Sequence, residues 1–179
     1  MSLPFTKLSI IIPFLNYDNI DKTVYELIKV FTKFNKEFKI IIVDDGSSIE
    51  SKRKLTQIKN NGYIYILSHK HNLGKGAAIK TGISNSNSDI IIFTDCDLAY
   101  PAKEIKRLFD IFTENKYDVL CADRRSTYSK AVISPTHIKY IYSRERAGRI
   151  FNLILRTLRL TDLRDTQAGL KIIDIKAYM

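Results

Sequence analysis

The stretch IIIFTDCDLAYP, residues 90–101, decides the fold. Four apolar residues and Thr94 run straight into Asp95, Cys96 and Asp97. A short apolar run bounded by turn residues reads as a strand buried on both faces, as in parallel sheets. Outward from it the pattern recurs. KLSIIIPF (7–14), FKIIIVDDGSS (38–48), YIYILS (63–68), DIIIFTD (89–95) and YDVLCAD (117–123) read as strands, the second with its turn. Between them lie helical patterns over 19–34, about 49–60, 74–84 and 101–116. Pro101 falls in a first helical turn, where its missing N–H costs nothing. Strands alternating with helices predict an α/β fold, a mostly parallel sheet with helices on both faces. The length of 179 residues predicts one domain spanning 1–179.

Ligands of such sheets bind beyond the carboxyl ends of the strands. The polar residues of this chain collect there: Pro13 and Asn16 after the first strand, Asp44, Asp45, Gly46 and Ser47 after the second, Asp95 and Asp97 after the fourth, and Asp123, Arg124 and Arg125 after the fifth. An Asp-x-Asp at a strand end places two hard oxygen ligands near one point. That suits Mg²⁺ or Mn²⁺ bridging the phosphates of a nucleotide. A second acidic pair at Asp44-Asp45 argues against a mere turn or cap, which needs no partner across the edge.

Composition narrows the partners. Lys plus Arg is 29 against 19 Asp plus Glu, a net charge of +10 that favours anionic ligands or an anionic membrane surface. The basic residues match no nucleic-acid reader motif, so nucleic acid is not expected. Cys96 and Cys121 form no metal-ligand spacing and read as buried free thiols of a reducing compartment. No run approaches the ~18 apolar residues of a membrane-spanning helix. NLGKGAAIKTG (72–82) is glycine-rich but is neither a P-loop nor a G-x-G-x-x-G turn. FLNYDN follows the first strand in place of a glycine turn, which argues against a dinucleotide site. Leu98-Ala99 follow the Asp-x-Asp, unlike an aspartyl-phosphatase. His69, His71 and His137 show no metal spacing, and the first two read as loop residues.

Five motifs, SIIIPFLN, IIIVDDGSS, HNLGKGAAIKTGI, IIFTDCDLAYP and LRDTQAGLK, stand in the order and rough spacing of family 2 glycosyltransferases with the GT-A fold. The chain resembles most the branch that makes polyprenyl-phosphate sugars, the dolichyl-phosphate glucose and mannose synthases and their bacterial relatives, over about residues 7–175. The resemblance implies a nucleotide-sugar donor. Pro13 and Asn16 would border the nucleotide, Asp44 or Asp45 would read base or ribose, and the loop around Gly74-Lys75-Gly76 would cover the base. Asp95 and Asp97 would hold Mg²⁺ or Mn²⁺ on the diphosphate. DTQAGLK (165–171) looks more like the glucose branch than the mannose branch, which favours UDP-glucose over a GDP-sugar. The chain departs from the pattern at Ala99, where mannose-type members often carry a third polar group, at Tyr17, where many relatives have Glu, and at Leu170, where Phe is more usual.

The same resemblance places the acceptor phosphate on Arg124, Arg144 and Lys171, with Asp165 accepting a bond from the sugar or orienting Lys171. A guanidinium fork suits a phosphate. A polyprenyl phosphate is already an anionic nucleophile and needs orientation and charge neutralisation more than a base. The catalytic set would be Asp97, Asp165 and Arg144, in a single displacement with inversion. At ~100° per residue a helix over 138–160 gathers Ile150, Phe151, Ile154, Leu155 and Leu158 on one side. Arg146, Arg149, Arg156 and Arg159 fall on the other, which suits anionic headgroups at the cytosolic face of a membrane. Relatives usually continue past the last motif, so the chain reads as truncated at its C-terminus. Two alternatives remain open: transfer to a saccharide hydroxyl, with Asp123 or Asp165 as base, and a catalytically silent protein that binds nucleotides or membranes.

Overall fold

The computed structural model describes residues 7–33, 37–58, 62–123 and 165–178. They fall into two compact units, Met1–Leu120 with Gly169–Met179, and Cys121–Ala168. Arg124, Arg144 and the helix expected over 138–160 lie outside the described residues.

The first unit is built on a six-stranded sheet. Its strands are β1 (Lys7–Phe14), β2 (Glu37–Asp44), β3 (Ile64–Ser68), β4 (Ile90–Phe93), β5 (Val119–Cys121) and β6 (Lys171–Asp174), in the order β3-β2-β1-β4-β6-β5. β1 pairs in parallel with β2 and β4, and β2 with β3. The central strands are covered on both faces: Ile10, Ile11, Ile12, Ile40, Ile42, Ile91 and Ile92 are at 0% exposure. β3 departs from that expectation. It is an edge strand, and its Tyr65 and Ile66 are exposed.

The longer helices among the described residues are α1 (Ile20–Phe31), α2 (Ile49–Gln57), α3 (Lys75–Ser84) and α4 (Ala102–Asn115). Ile20, Val24, Leu27 and Phe31 form the apolar stripe of α1, at helical spacing. Phe31 meets Phe38 of β2 and Phe109 of α4, each at 6.1 Å between ring centroids, which places α1 on the face of β2 that also carries Ile40 and Ile42. The opposite face joins Ile11, Ile41, Val43 and Ile91 to Ala78 of α3. Gly82 lets α3 lie close on β1, because a Cβ there would stand 2.6 Å from Cγ2 of Ile11.

β6 was not foreseen as a strand, and it runs antiparallel to β4, with Phe93 opposite Lys171 and Ile90 opposite Asp174. An antiparallel strand begins where its parallel neighbours end. The start of KIID therefore brings Gly169–Lys171 to the edge where Asp95 leaves β4.

Candidate donor site

The first corner of the edge is a cross-linked turn. The backbone N–H of Asn16 donates to Oγ of Ser47 at 3.1 Å, and its side-chain Oδ1 accepts from the N–H of Ser48 at 2.9 Å. Asn16 holds a left-handed backbone at φ 49° to do so. Pro13, half-buried, pairs in register with Val43. Ser48 then caps α2 by accepting from the N–H of Ser51.

The two aspartates at the end of β2 differ sharply. Asp44 is at 0% exposure; its Oδ1 accepts from the N–H of Ser47 at 2.9 Å. Among the described residues its Oδ2 accepts no hydrogen bond, and it faces Nζ of Lys52 at 3.9 Å. Asp45 is also buried, but both of its oxygens are engaged. Oδ1 accepts from Nδ1 of His69 at 2.7 Å and from the N–H of Leu73 at 2.9 Å, and Oδ2 accepts from the N–H of Gly74 at 2.8 Å. Burial works to raise the Asp45 carboxyl pKa, yet the His69 bond and the two backbone N–H groups outweigh it and hold the value below normal. His69 also reaches Oγ1 of Thr81 at 2.9 Å through Nε2. In the neutral imidazole, Nδ1 donating to the carboxylate leaves Nε2 to accept from the Thr81 hydroxyl. The Asp45 carboxylate thus holds the HNLGKG loop, and the His69 imidazole ties that carboxylate to helix α3. Gly46, at φ 78°, allows the close approach, since a Cβ there would lie 2.5 Å from the carbonyl carbon of His71.

His69 is more than the loop residue expected from sequence. The available signal was its place: it follows Ser68, the last residue of β3, and so stands on the binding edge.

The second corner carries the Asp-x-Asp. The N–H of Thr94 continues the ladder to Ile11 O, and the N–H of Leu98 closes a turn on Asp95 O at 3.2 Å, with Leu98 at φ 47°. Asp97 is exposed and its Oδ1 accepts from the N–H of Ala99 at 3.1 Å. Oγ1 of Thr23 donates to Cys96 O at 2.5 Å and pins the turn to α1. Nζ of Lys75, the first residue of α3, pairs with Oδ1 of Asp95. The HNLGKG loop and the Asp-x-Asp turn therefore meet at one carboxylate. Gly169 packs on its other oxygen. Burial, with Asp97 and then Asp95 nearby, pushes the Cys96 thiol up to about 11, so it is no nucleophile at neutral pH. Burial first, then Cys96 and Asp97, raises the Tyr17 phenol, which marks Tyr17 as a neutral hydroxyl beside the turn.

Among the described residues no cluster of three or more His, Cys, Asp or Glu side chains is assembled to hold a metal. The residues present still fit Mg²⁺ or Mn²⁺. Such ions keep several waters and take one or two carboxylates plus substrate phosphates, and two carboxylates on one exposed turn supply that share. Lys171, of the expected acceptor set, begins β6 with its Nζ 5.3 Å from the Phe93 ring centroid. Asp165, in the second unit, is buried, with Oδ1 accepting from the N–H of Gln167 at 3.3 Å. No helix among the described residues is long and apolar enough to cross a membrane.

A mostly parallel sheet with an Asp-x-Asp turn at its carboxyl edge is the architecture of the GT-A class of nucleotide-sugar enzymes. The chain belongs to glycosyl transferase family 2, whose family model matches residues 9–178. It is 31% identical over 179 aligned positions to the dolichyl-phosphate beta-glucosyltransferase of Dictyostelium discoideum, covering 92% of the chain and 53% of that protein. It is 34% identical over 124 positions to the undecaprenyl-phosphate 4-deoxy-4-formamido-L-arabinose transferase of Proteus mirabilis strain HI4320, covering 67% of the chain and 37% of that protein. Among solved structures, the mannosyltransferase PcManGT of Pyrobaculum calidifontis, in complex with GDP-Man and Mn²⁺, shares the fold at a TM-score of 0.51 and 14% identity, over 66% of the chain and 35% of its own. The chain spans about half the length, or less, of these curated relatives.

Proposed function

We propose that this chain transfers glucose from UDP-glucose to a polyprenyl phosphate, in one displacement with inversion, at the cytosolic face of a membrane. The observation that carries the reading is the meeting of the Asp-x-Asp turn and the Asp45-clamped loop at one carboxylate, through Lys75 and Asp95. Two relatives named for dolichyl- and undecaprenyl-phosphate support the acceptor class.

The geometry supports the donor-side roles, and the family resemblance supplies the acceptor-side ones. Asp95 and Asp97 would hold Mg²⁺ or Mn²⁺, which supplies charge neutralisation for the departing nucleoside diphosphate. Lys75, half-exposed and already at Asp95, turns its ammonium to the same diphosphate. Among the described residues Asp44 keeps an acceptor oxygen without a hydrogen bond, whereas both oxygens of Asp45 are engaged, which supports Asp44 as the reader of the nucleoside and Asp45 as the holder of the loop. Pro13 and Asn16 border the nucleotide. Arg124, Arg144 and Lys171 take the acceptor phosphate, with Asp165 orienting the sugar. No general base is required, because the attacking phosphate oxygen is already anionic.

Calorimetry of UDP and GDP, each with and without Mn²⁺, tests the donor half. UDP binds in a Mn²⁺-dependent manner and GDP binds at least about tenfold more weakly, a difference of ~1.4 kcal/mol. Preference for GDP moves the reading to a mannose donor. Failure of both nucleotides to bind a folded sample removes it.

A further inference from the structure

We propose that Gly169 is a positioning residue for the Asp95 carboxylate, an inference that rests on the donor-site reading above. Gly169 is absent from the positive-φ glycines, so its backbone does not demand glycine. Space does. A Cβ at 169 would stand 2.0 Å from Oδ2 of Asp95 and 2.8 Å from its Cγ, closer than any non-bonded contact. The antiparallel register explains the approach. Phe93 faces Lys171 and Ile92 faces Ile172, so continuing the register two residues past each strand's end sets Asp95 against Gly169. The carboxylate is then defined on both sides, Oδ1 by the Lys75 ammonium and Oδ2 by the bare backbone of the DTQAGLK segment.

This arrangement separates site geometry from stability. Asp95 is 35% exposed, so a methyl group at 169 does not collide with core; it turns the carboxylate out towards solvent and off Lys75. The two motifs, far apart in sequence, are one device in space.

The test is Gly169→Ala with two readouts. In the metal-free protein, the ¹³C resonance of the Asp95 carboxyl shifts, because the group leaves Lys75. In calorimetry, Mn²⁺-dependent UDP binding weakens by about tenfold or more, the loss usual when a ligand's support is removed, while the melting temperature stays near that of the parent. An unmoved carboxyl resonance overturns the proposal, as does unchanged Mn²⁺-dependent binding. If Gly169→Ala fails to fold, Asp95→Ala/Gly169→Ala decides. Its folding supports a collision with Asp95, and its failure assigns Gly169 a purely structural role. If the parent binds no nucleotide, the donor-site reading falls, and the carboxyl resonance still decides whether Gly169 positions Asp95.

Discussion

Asp97→Asn abolishes the Mn²⁺-dependent part of UDP binding, a loss of at least about 100-fold, or ~2.7 kcal/mol, and leaves the fold intact. The asymmetry follows from the position. Asp97 is exposed at the tip of the turn, and its one described hydrogen bond is accepted from the N–H of Ala99. An asparagine oxygen accepts the same bond, so the turn survives. What disappears is the negative charge. Asp95 is then left as the sole carboxylate of the Asp-x-Asp turn. A hard divalent cation then meets one free charge fewer on the protein, and Ala99 offers no third ligand. Titration calorimetry reads the affinity, and thermal melting shows a change within the ±0.5 kcal/mol or so usual for surface substitutions.

Asp45→Ala acts in the opposite way, on stability and on the loop together. The substitution strips the acceptor from Nδ1 of His69 and from the N–H groups of Leu73 and Gly74, while Nε2 of His69 keeps Thr81 Oγ1 and the N–H of Gly74 keeps Asn72 Oδ1. Bonds to a charged acceptor are worth about 1.5–3 kcal/mol each, and part is regained from water once the loop is released, so a net loss of about 3 kcal/mol is expected in urea denaturation at pH 7. UDP affinity falls as well, because the freed HNLGKG loop must be ordered on binding. The pH dependence carries a sign. The folded-state pKa of Asp45 lies below its ordinary value of 3.8, so its contribution is fully present above that value and is lost as pH falls through the folded value. The stability gap between parent and variant therefore stays constant from neutral pH down to the ordinary carboxylate range and closes below it. A gap that widened on acidification would contradict the assigned bonds.

Much of the scaffold was readable because it is local. Each of β1, β2 and β4 is a compact apolar run, and each ends on a polar turn, so the strand, its burial and the binding edge follow from one pattern. KIID was not readable as a strand. Its four residues suit a helix or a strand alike, and only pairing with β4, some eighty residues away, decides between them. The proposed metal ligands were singled out by the Asp-x-Asp spacing. Asp45 did not disclose its work, because DDGSS looks the same whether a carboxylate faces a ligand or ties down a loop. The difference lies in His69, Leu73 and Gly74, which the fold brings in from beyond β3. Gly169 is a similar case: glycine in sequence signals turn or space, and only the register of β6 shows that the space belongs to Asp95.

The central claim is tested most directly by the product of a single incubation: the chain with Mn²⁺, UDP-glucose labelled in the sugar, and undecaprenyl phosphate in detergent. The account predicts label in the organic phase, released by mild acid as expected of a sugar phosphodiester, with the β-anomeric linkage by NMR that inversion of an α-linked donor requires. Label on a saccharide hydroxyl, an α-linked lipid product, or a lipid phase without label would contradict it.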